Sequence, residues 1–79
     1  MDVIKAIRHI VDDAGVSHAT LSKRMNRAHK YVDNLLSMKR DPSLSVAAEL
    51  AHACGWRLVL ERQDGSERID LEPRNDNER

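Results

Sequence analysis

Residues 17–44 read SHATLSKRMNRAHKYVDNLLSMKRDPSL, and this stretch decides the fold class of the 79-residue chain. Ser17 is a good N-cap for a short helix that runs to about Met25. Asn26 comes next, and because asparagine enters the left-handed backbone region at low cost, it can end the helix and turn the chain sharply. Apolar residues then resume at helical spacing, at Ala28, Val32, Leu35 and Leu36. This pattern predicts a further helix over about residues 28–37.

Two short helices joined by a tight turn need a small residue where they cross, a turn residue that accepts positive φ, and apolar anchors on the second helix. The stretch supplies these at Ser22, Asn26, Val32 and Leu35, and Leu21 and Met25 add the apolar residues of the first helix that pack against the second. This is the steric pattern of a DNA-binding helix-turn-helix, whose second helix enters the major groove.

The second helix also carries a polar stripe opposite its apolar one. If Val32 and Leu35 face the core, the outward residues are His29, Lys30, Asp33, Asn34 and Ser37. Asparagine can pair with adenine, lysine can donate to guanine and aspartate can accept from cytosine, so Lys30, Asp33 and Asn34 are predicted base contacts. The predicted DNA-backbone contacts are Lys23, Arg27, Tyr31, Ser37, Lys39 and Arg40. A solvated helix face is the alternative reading of the same residues.

Outside this stretch, apolar spacing predicts two more helices. One covers about residues 2–14, with Asp2 as its cap and Gly15 as its stop. The other begins after Ser43 or Ser45, because Pro42 disfavours helix at the residue before it, and Gly55 closes it.

After Gly55 the apolar period changes from 3.6 to 2, and Asp64-Gly65 is a strong signal for a two-residue hairpin turn. Centring the hairpin there pairs Leu60 with Ile69 and Leu58 with Leu71 on one face. The same register sets three pairs of opposite charges across the strands: Glu61 with Arg68, Arg62 with Glu67, and Arg57 with Glu72. Residues 73–79 have nothing to bury and are expected to be a disordered tail.

The formal net charge is zero, but its distribution along the chain is uneven. Residues 18–40 contain six basic residues against one acidic residue, whereas residues 41–79 contain five against nine. A basic middle third is typical of a segment that faces a polyanion.

Several function classes find no support in the sequence. No apolar run approaches the ~20 residues that cross a bilayer, and the single cysteine, Cys54, favours a reducing cytoplasm. The four histidines and Cys54 lack metal-ligand spacing, and neither a phosphate-binding glycine loop nor a catalytic triad is recognisable. The sequence therefore predicts no enzyme, no metal and no cofactor.

Over about residues 4–55 the chain resembles the xenobiotic-response-element regulators, a family that includes phage Cro and lambda-type repressors. The matching pieces are GVS at 15–17, LSKRM at 21–25, KRDPSL at 39–44 and LAHACG at 50–55. The resemblance implies a mostly α, four-to-five-helix lambda-repressor-like DNA-binding domain over residues 1–55. It also places His29, Lys30 and Asn34 at base-contacting positions and His18 at a backbone contact.

The chain departs from the family at both ends of the recognition helix. Ala28 stands where serine or threonine commonly caps this helix, and Met38 stands where glycine commonly ends it. Family members usually have alanine at the position of Ser22 and glycine at that of Asn26, which are milder changes. Loss of the cap at Ala28 costs about 1 kcal/mol unless another residue, such as Asn26, replaces it.

The expected function is a transcriptional regulator, a repressor that binds a palindromic operator as a homodimer. The hairpin of residues 56–72 is the expected dimerisation element because an isolated two-stranded hairpin needs its apolar face covered. Its apolar residues are Trp56, Leu58, Leu60, Ile69 and Leu71. Three readings stay open: a hairpin that finishes a monomeric core, an antitoxin that neutralises a cognate toxin and represses its own operon, and a protein-interaction module that does not bind DNA.

Overall fold

A computed structural model of the protein describes residues 2–38 and 40–73, which form four helices followed by a two-stranded antiparallel hairpin. The helices are α1 (Val3–Ala14), α2 (His18–Arg24), α3 (Tyr31–Ser37) and α4 (Leu44–Ala53), and the strands are β1 (Leu58–Glu61) and β2 (Arg68–Leu71). The prediction of a small, mostly helical fold with a C-terminal hairpin is confirmed. Lys39 and residues 74–79, which include most of the predicted tail, lie outside the described residues.

Local capping sets both ends of α1 as the sequence predicts. The Asp2 carboxylate accepts a hydrogen bond from the Lys5 backbone N–H at 2.8 Å, and Gly15 ends the helix in the left-handed conformation. Ile7 and Val11 lie on the buried face of this helix.

The core lies where all four helices meet. It is built from Ile7, Val11, Leu21, Met25, Val32, Leu36, Ala47 and Leu50. On α3, Val32 is fully buried and Leu36 nearly so, whereas Leu35 is only half-buried and packs at the edge of the core. The second anchor of α3 is therefore Leu36 rather than the predicted Leu35, because Leu36 follows Val32 at the i, i+4 spacing that keeps both on one face.

The junction between α4 and the hairpin is a Schellman motif. Ser43 caps the start of α4 by accepting from the Val46 N–H at 3.2 Å, which settles the choice between Ser43 and Ser45. At the other end, the N–H of Gly55 donates to the His52 carbonyl at 3.1 Å and that of Trp56 donates to the Ala51 carbonyl at 2.8 Å. Gly55 has a φ of 83°, which this motif requires at its turning residue.

The register of the hairpin agrees with the prediction, but its loop does not. Leu58 pairs with Leu71 and Leu60 with Ile69, as predicted. Two of the predicted charge pairs form, Glu61 with Arg68 and Arg62 with Glu67, whereas Arg57 lies 3.8 Å from Asp70 on the diagonal and not against Glu72. The loop comprises the four residues 63–66 rather than two, because the last ladder bond runs from the Arg62 N–H to the Glu67 carbonyl at 2.8 Å. A two-residue type I′ turn needs positive φ at both central residues. Within the described chain only Asn26, among residues other than glycine, has a positive φ, so Asp64 does not meet this condition.

No helix in residues 2–38 and 40–73 is long and apolar enough to span a lipid bilayer.

Candidate nucleic-acid interface

The turn between α2 and α3 places the two helices against each other. Asn26 has a φ of 59°, as the sequence predicts, and the Arg27 N–H donates to the Ser22 carbonyl at 2.9 Å just after it. Ala28, His29 and Lys30 then form a separate turn, closed by the Tyr31 N–H on the Ala28 carbonyl at 2.9 Å. Helix α3 therefore begins at Tyr31, and the prediction of a start near residue 28 is wrong by three residues.

The start of α3 is capped by a residue of the neighbouring helix. Lys30 occupies the N-cap position and makes no side-chain capping bond. Instead the hydroxyl of Ser22, which is fully buried, accepts from the Val32 N–H at 3.0 Å and donates to the His18 carbonyl at 2.9 Å. Ser22, and not Asn26, thus accepts from the first turn of α3, where Lys30 supplies no capping bond.

The end of α3 is also stabilised from outside the helix. Met38 has extended backbone angles (φ −70°, ψ 146°), so it does not close α3 in the left-handed conformation that a glycine would adopt. The Arg8 guanidinium of α1 donates to the Leu36 carbonyl at 2.7 Å and satisfies one of the free carbonyls of the last turn. This contact, made by a residue 28 positions before Leu36, offsets the absence of a glycine at position 38.

The outward face of α3 and of the turn before it is polar and open to solvent. His29, Lys30, Asp33, Asn34 and Ser37 are all exposed, opposite the buried Val32 and Leu36. The Ser37 hydroxyl is partly engaged, since it donates to the Asn34 carbonyl at 2.9 Å, while the side-chain amide of Asn34 makes no hydrogen bond with another described residue. The four predicted base contacts are therefore all exposed, and His29 and Lys30 belong to the turn before α3 rather than to the helix.

Two of the predicted DNA contacts bind each other. His18 Nδ1 and Asp33 Oδ1 lie 2.5 Å apart and join the start of α2 to α3. The carboxylate of Asp33 is therefore directed toward α2, while half or more of its side chain stays exposed. A base edge would have to compete with His18 for this acceptor.

Arg27, a predicted backbone contact, is held in the fold by two neighbours. Its guanidinium donates to both carboxylate oxygens of Glu49 on α4, at 3.1 and 3.0 Å, and lies over the ring of Tyr31 with 5.0 Å to the centroid. Tyr31, another predicted contact, is half-buried beneath it. The ion pair between Arg27 and Glu49 thus connects the turn to α4, and the ring of Tyr31 packs beneath the Arg27 guanidinium.

The other basic residues of the segment 18–40 differ from Arg27 in how far they are engaged by the rest of the chain. Lys23, Lys30 and Arg40 are exposed and form no side-chain hydrogen bond or ion pair with any residue that the structure describes. Arg24 donates to the Ala53 carbonyl at 3.2 Å, at the C-terminal end of α4. Of the predicted DNA-backbone contacts, Lys23 and Arg40 are thus without a described protein partner, as is Lys30 among the predicted base contacts.

Sequence reasoning missed Arg8, Arg24 and Glu49, each of which fixes a part of this surface. Each acts through a contact with a residue 22 to 29 positions away. No local pattern carries such information, because the spacing of apolar residues and caps reports only on neighbours within a turn or two of helix.

The hairpin is partly attached to the helical body. Leu58 packs against the core, and the Trp56 indole N–H donates to Asp13 at 3.2 Å with its ring edge-on to His9. Leu60 and Ile69, further along the same face, are each 52% exposed. The five residues of the predicted dimerisation set therefore differ: Trp56 and Leu58 contact their own chain, Leu71 is half-buried as the partner of Leu58 in the hairpin, and Leu60 and Ile69 face solvent.

The described residues contain no cluster of three or more histidine, cysteine, aspartate or glutamate side chains that would hold a metal ion. Burial raises the pKa of the Cys54 thiol, and the nearby Arg24 charge opposes this shift only in part. Cys54 is consequently a poor nucleophile at neutral pH.

No protein-family profile, curated protein or solved structure matches the chain.

Proposed function

We propose that this chain is a sequence-specific DNA-binding protein with a lambda-repressor-like helix-turn-helix, in which α2 contacts the DNA backbone and α3 is the recognition helix. The observation that carries the proposal is the polar face around α3. Lys30, Asp33 and Asn34 are exposed together on the side of α3 opposite Val32 and Leu36. Side chains of these types donate to and accept from base edges in the major groove.

Electrostatics supports the same assignment. Lys23, Lys30 and Arg40 are exposed and have no described acidic partner, whereas the charges of the hairpin pair among themselves. The acidic surplus of residues 41–79 is thus separated along the chain from the basic segment. Such a separation favours approach of a polyanion from the α3 side.

We further propose that the protein acts as a homodimer that represses transcription at a palindromic operator. One α3 offers only a few base contacts, whereas two copies read half-sites about 34 Å apart, one turn of the DNA helix. The exposed Leu60 and Ile69 on the hairpin support a second copy as the partner, since isolated hairpins need a covered apolar face.

The proposal is tested by selecting bound duplexes from a random pool and measuring affinity for the selected and scrambled sequences over a salt series. We expect Asn34→Ala to lose about 1–3 kcal/mol of preference at one base-pair position per half-site. Arg40→Ala should weaken binding to all sequences alike and lower the salt slope by about 1. Arg62→Ala is the matched control, because Arg62 lies on the hairpin and pairs with Glu67. Equal affinity for selected and scrambled duplexes would contradict sequence-specific binding.

A second candidate function, the antitoxin of a two-gene module, is favoured by the same exposed hairpin face. An antitoxin would bind a cognate toxin through Leu60 and Ile69 while α3 still contacts operator DNA. Co-purification of a neighbouring gene's product with the full chain, lost in Ile69→Lys, would support it. Absence of any DNA binding would instead favour a protein-interaction module.

A further inference from the structure

The outer edge of β2 is an open strand edge. Arg68, Ile69 and Asp70 are exposed, and residues 2–38 and 40–73 contribute no third strand to the hairpin, so β2 pairs on one side only within this part of the chain. No backbone group of Arg68 or Asp70 bonds to another part of the chain that the structure describes, apart from the hairpin itself. An unpaired edge of this kind is a template for another strand.

The hairpin register identifies the backbone groups that this edge presents. Arg62 and Glu67 form a hydrogen-bonded pair, because the Arg62 N–H donates to the Glu67 carbonyl. Hydrogen-bonded and non-hydrogen-bonded pairs alternate along an antiparallel ladder. The Leu60–Ile69 pair is therefore hydrogen-bonded, and the pairs made by Arg68 and Asp70 are not. The N–H and C=O groups of Arg68 and Asp70 consequently point away from β1, toward the open edge.

We propose that a second copy of this chain pairs its β2 antiparallel with this edge, in a register centred on Ile69, to form a four-stranded sheet. The inference rests on the homodimer of the proposed function and specifies its interface. In this register Arg68 lies opposite Asp70 of the second copy, and both residues direct their backbone groups into the new ladder. Ile69 then meets its own symmetry mate as a non-hydrogen-bonded pair.

Charge selects this register over its neighbours. Only registers centred on residue 68, 69 or 70 match the outward backbone groups of β2 within the strand. A centre at Arg68 sets two arginines directly opposite each other, and a centre at Asp70 does the same for two aspartates, which is destabilising. The centre at Ile69 gives two pairs of opposite charge and no pair of like charge.

The same register extends both faces of the hairpin. On one face, Leu60 and Ile69 of each copy form an apolar row across all four strands, because Leu60 is already paired with Ile69 within the hairpin. On the other face, the ion pair between Glu61 and Arg68, at 2.9 Å, continues into Asp70 of the second copy. Two side chains that are each 52% exposed in the single chain thus gain apolar neighbours.

The outer edge of β1 is less suited to this role. Leu58 and Val59 are half-buried and β1 packs beside α4, whereas Arg68, Ile69 and Asp70 are all exposed. A register centred on Leu60 sets Val59 against Glu61, which gives no charge pair. A register centred on Val59 needs Arg57 as a partner, and Arg57 precedes the strand.

Disulfide trapping of the full chain, carrying Cys54→Ala, tests the register without DNA. At the proposed two-fold axis the two Ile69 Cα atoms lie about 4.5 Å apart, within the range that a disulfide bridges. Ile69→Cys should therefore form a covalent dimer under mild oxidation. Leu60→Cys is the matched control, because Leu60 is equally exposed and on the same face, but lies about 14 Å from its mate across three strand spacings. Equal trapping at both positions, or preferential trapping of Val59→Cys, would overturn the proposal.

Sedimentation equilibrium gives a second readout. Arg68→Glu places a carboxylate opposite Asp70 at two symmetry-related positions, so the dimer dissociation constant should rise about tenfold or more. Arg62→Glu is the control, since Arg62 lies beyond the paired segment, and it should leave the constant within about twofold. A monomeric wild type at the concentrations used for trapping, or an unchanged constant for Arg68→Glu, would overturn the edge pairing. Discrimination between DNA duplexes, lost in Asn34→Ala, is measured separately, so failure of either proposal is distinguishable from failure of the other.

Discussion

The hydroxyl of Ser22 on α2 accepts a hydrogen bond from the backbone N–H of Val32 on α3, at 3.0 Å and out of contact with solvent. A helix of seven residues, Tyr31–Ser37, gains little stability from its own hydrogen bonds. Its position therefore depends on contacts with the elements around it, and those contacts set the orientation of Asn34 and its neighbours.

Ser22→Ala should lower the free energy of unfolding by about 1–3 kcal/mol, because the buried Val32 N–H loses its acceptor. Urea denaturation followed by circular dichroism measures the change. Ser37→Ala, which removes an exposed hydroxyl from α3, should cost less than about 0.5 kcal/mol. Adding Lys30→Ser to Ser22→Ala should recover part of the loss, because the serine hydroxyl then stands at the N-cap position of α3. Wild-type stability of Ser22→Ala would contradict the role assigned to this hydroxyl.

Arg8→Met should cost about 1 kcal/mol, because the methionine keeps the apolar stem of the side chain but cannot donate to the Leu36 carbonyl. Amide hydrogen exchange should accelerate in α3 more than in α4. Lys5→Met, an exposed change on the same helix, is the control. Uniform acceleration over the whole chain would indicate a general loss of stability rather than loss of a contact to α3.

Glu49→Gln should strengthen non-specific DNA binding while lowering stability by about 0.5–1 kcal/mol. Glu49 holds the Arg27 guanidinium through two hydrogen bonds, and a neutral partner competes less well with a phosphate for that charge. Binding to a scrambled duplex at several salt concentrations measures the effect, with Glu67→Gln on the hairpin as the control. Weaker DNA binding by Glu49→Gln would show that the ion pair positions Arg27 for the phosphate instead.

The hairpin loop should lose stability in acid. Hydrogen bonds from the Ser66 hydroxyl and N–H lower the pKa of Asp64 below its ordinary value. A lowered pKa in the folded state means that this contribution is fully present above the ordinary aspartate pKa and is lost as the pH falls through the folded value. NMR shifts of residues 62–67 over a pH series should follow this titration, and Asp64→Asn should remove the dependence. A loop whose shifts titrate identically in Asp64→Asn would contradict the assignment.

The parts of the fold that local chemistry determines could be predicted from the sequence. Asp2 and Gly15 delimit α1 through their own caps, and the charge pairs of the hairpin define its register. The start of α3 could not be predicted, because Ala28, Val32 and Leu35 continue the apolar period through a turn that is not helical. The contact that stabilises α3 at its true start comes from Ser22, ten residues away.

In the candidate site, too, residue spacing predicts which side chains are exposed but not which distant residues they contact. That Lys30, Asp33 and Asn34 share an exposed face follows from helical spacing once Val32 is buried. That His18 binds Asp33 and Arg27 binds Glu49 depends on how the helices cross, which residue spacing does not report. Three predicted DNA contacts, His18, Arg27 and Asp33, thus have a protein partner that residue spacing could not predict.

The Schellman motif at Gly55 bears on how the protein can be dissected. The N–H of Trp56 closes α4, its indole reaches Asp13 of α1, and Leu58 fills the edge of the core. In a fragment that stops at Gly55, the Ala51 carbonyl at the end of α4 would lack its hydrogen-bond donor, and the apolar side chains that Leu58 covers would be exposed to solvent. The shortest fragment that keeps the helical body folded therefore ends after Leu58, and a truncation that removes the rest of the hairpin should be made beyond that residue.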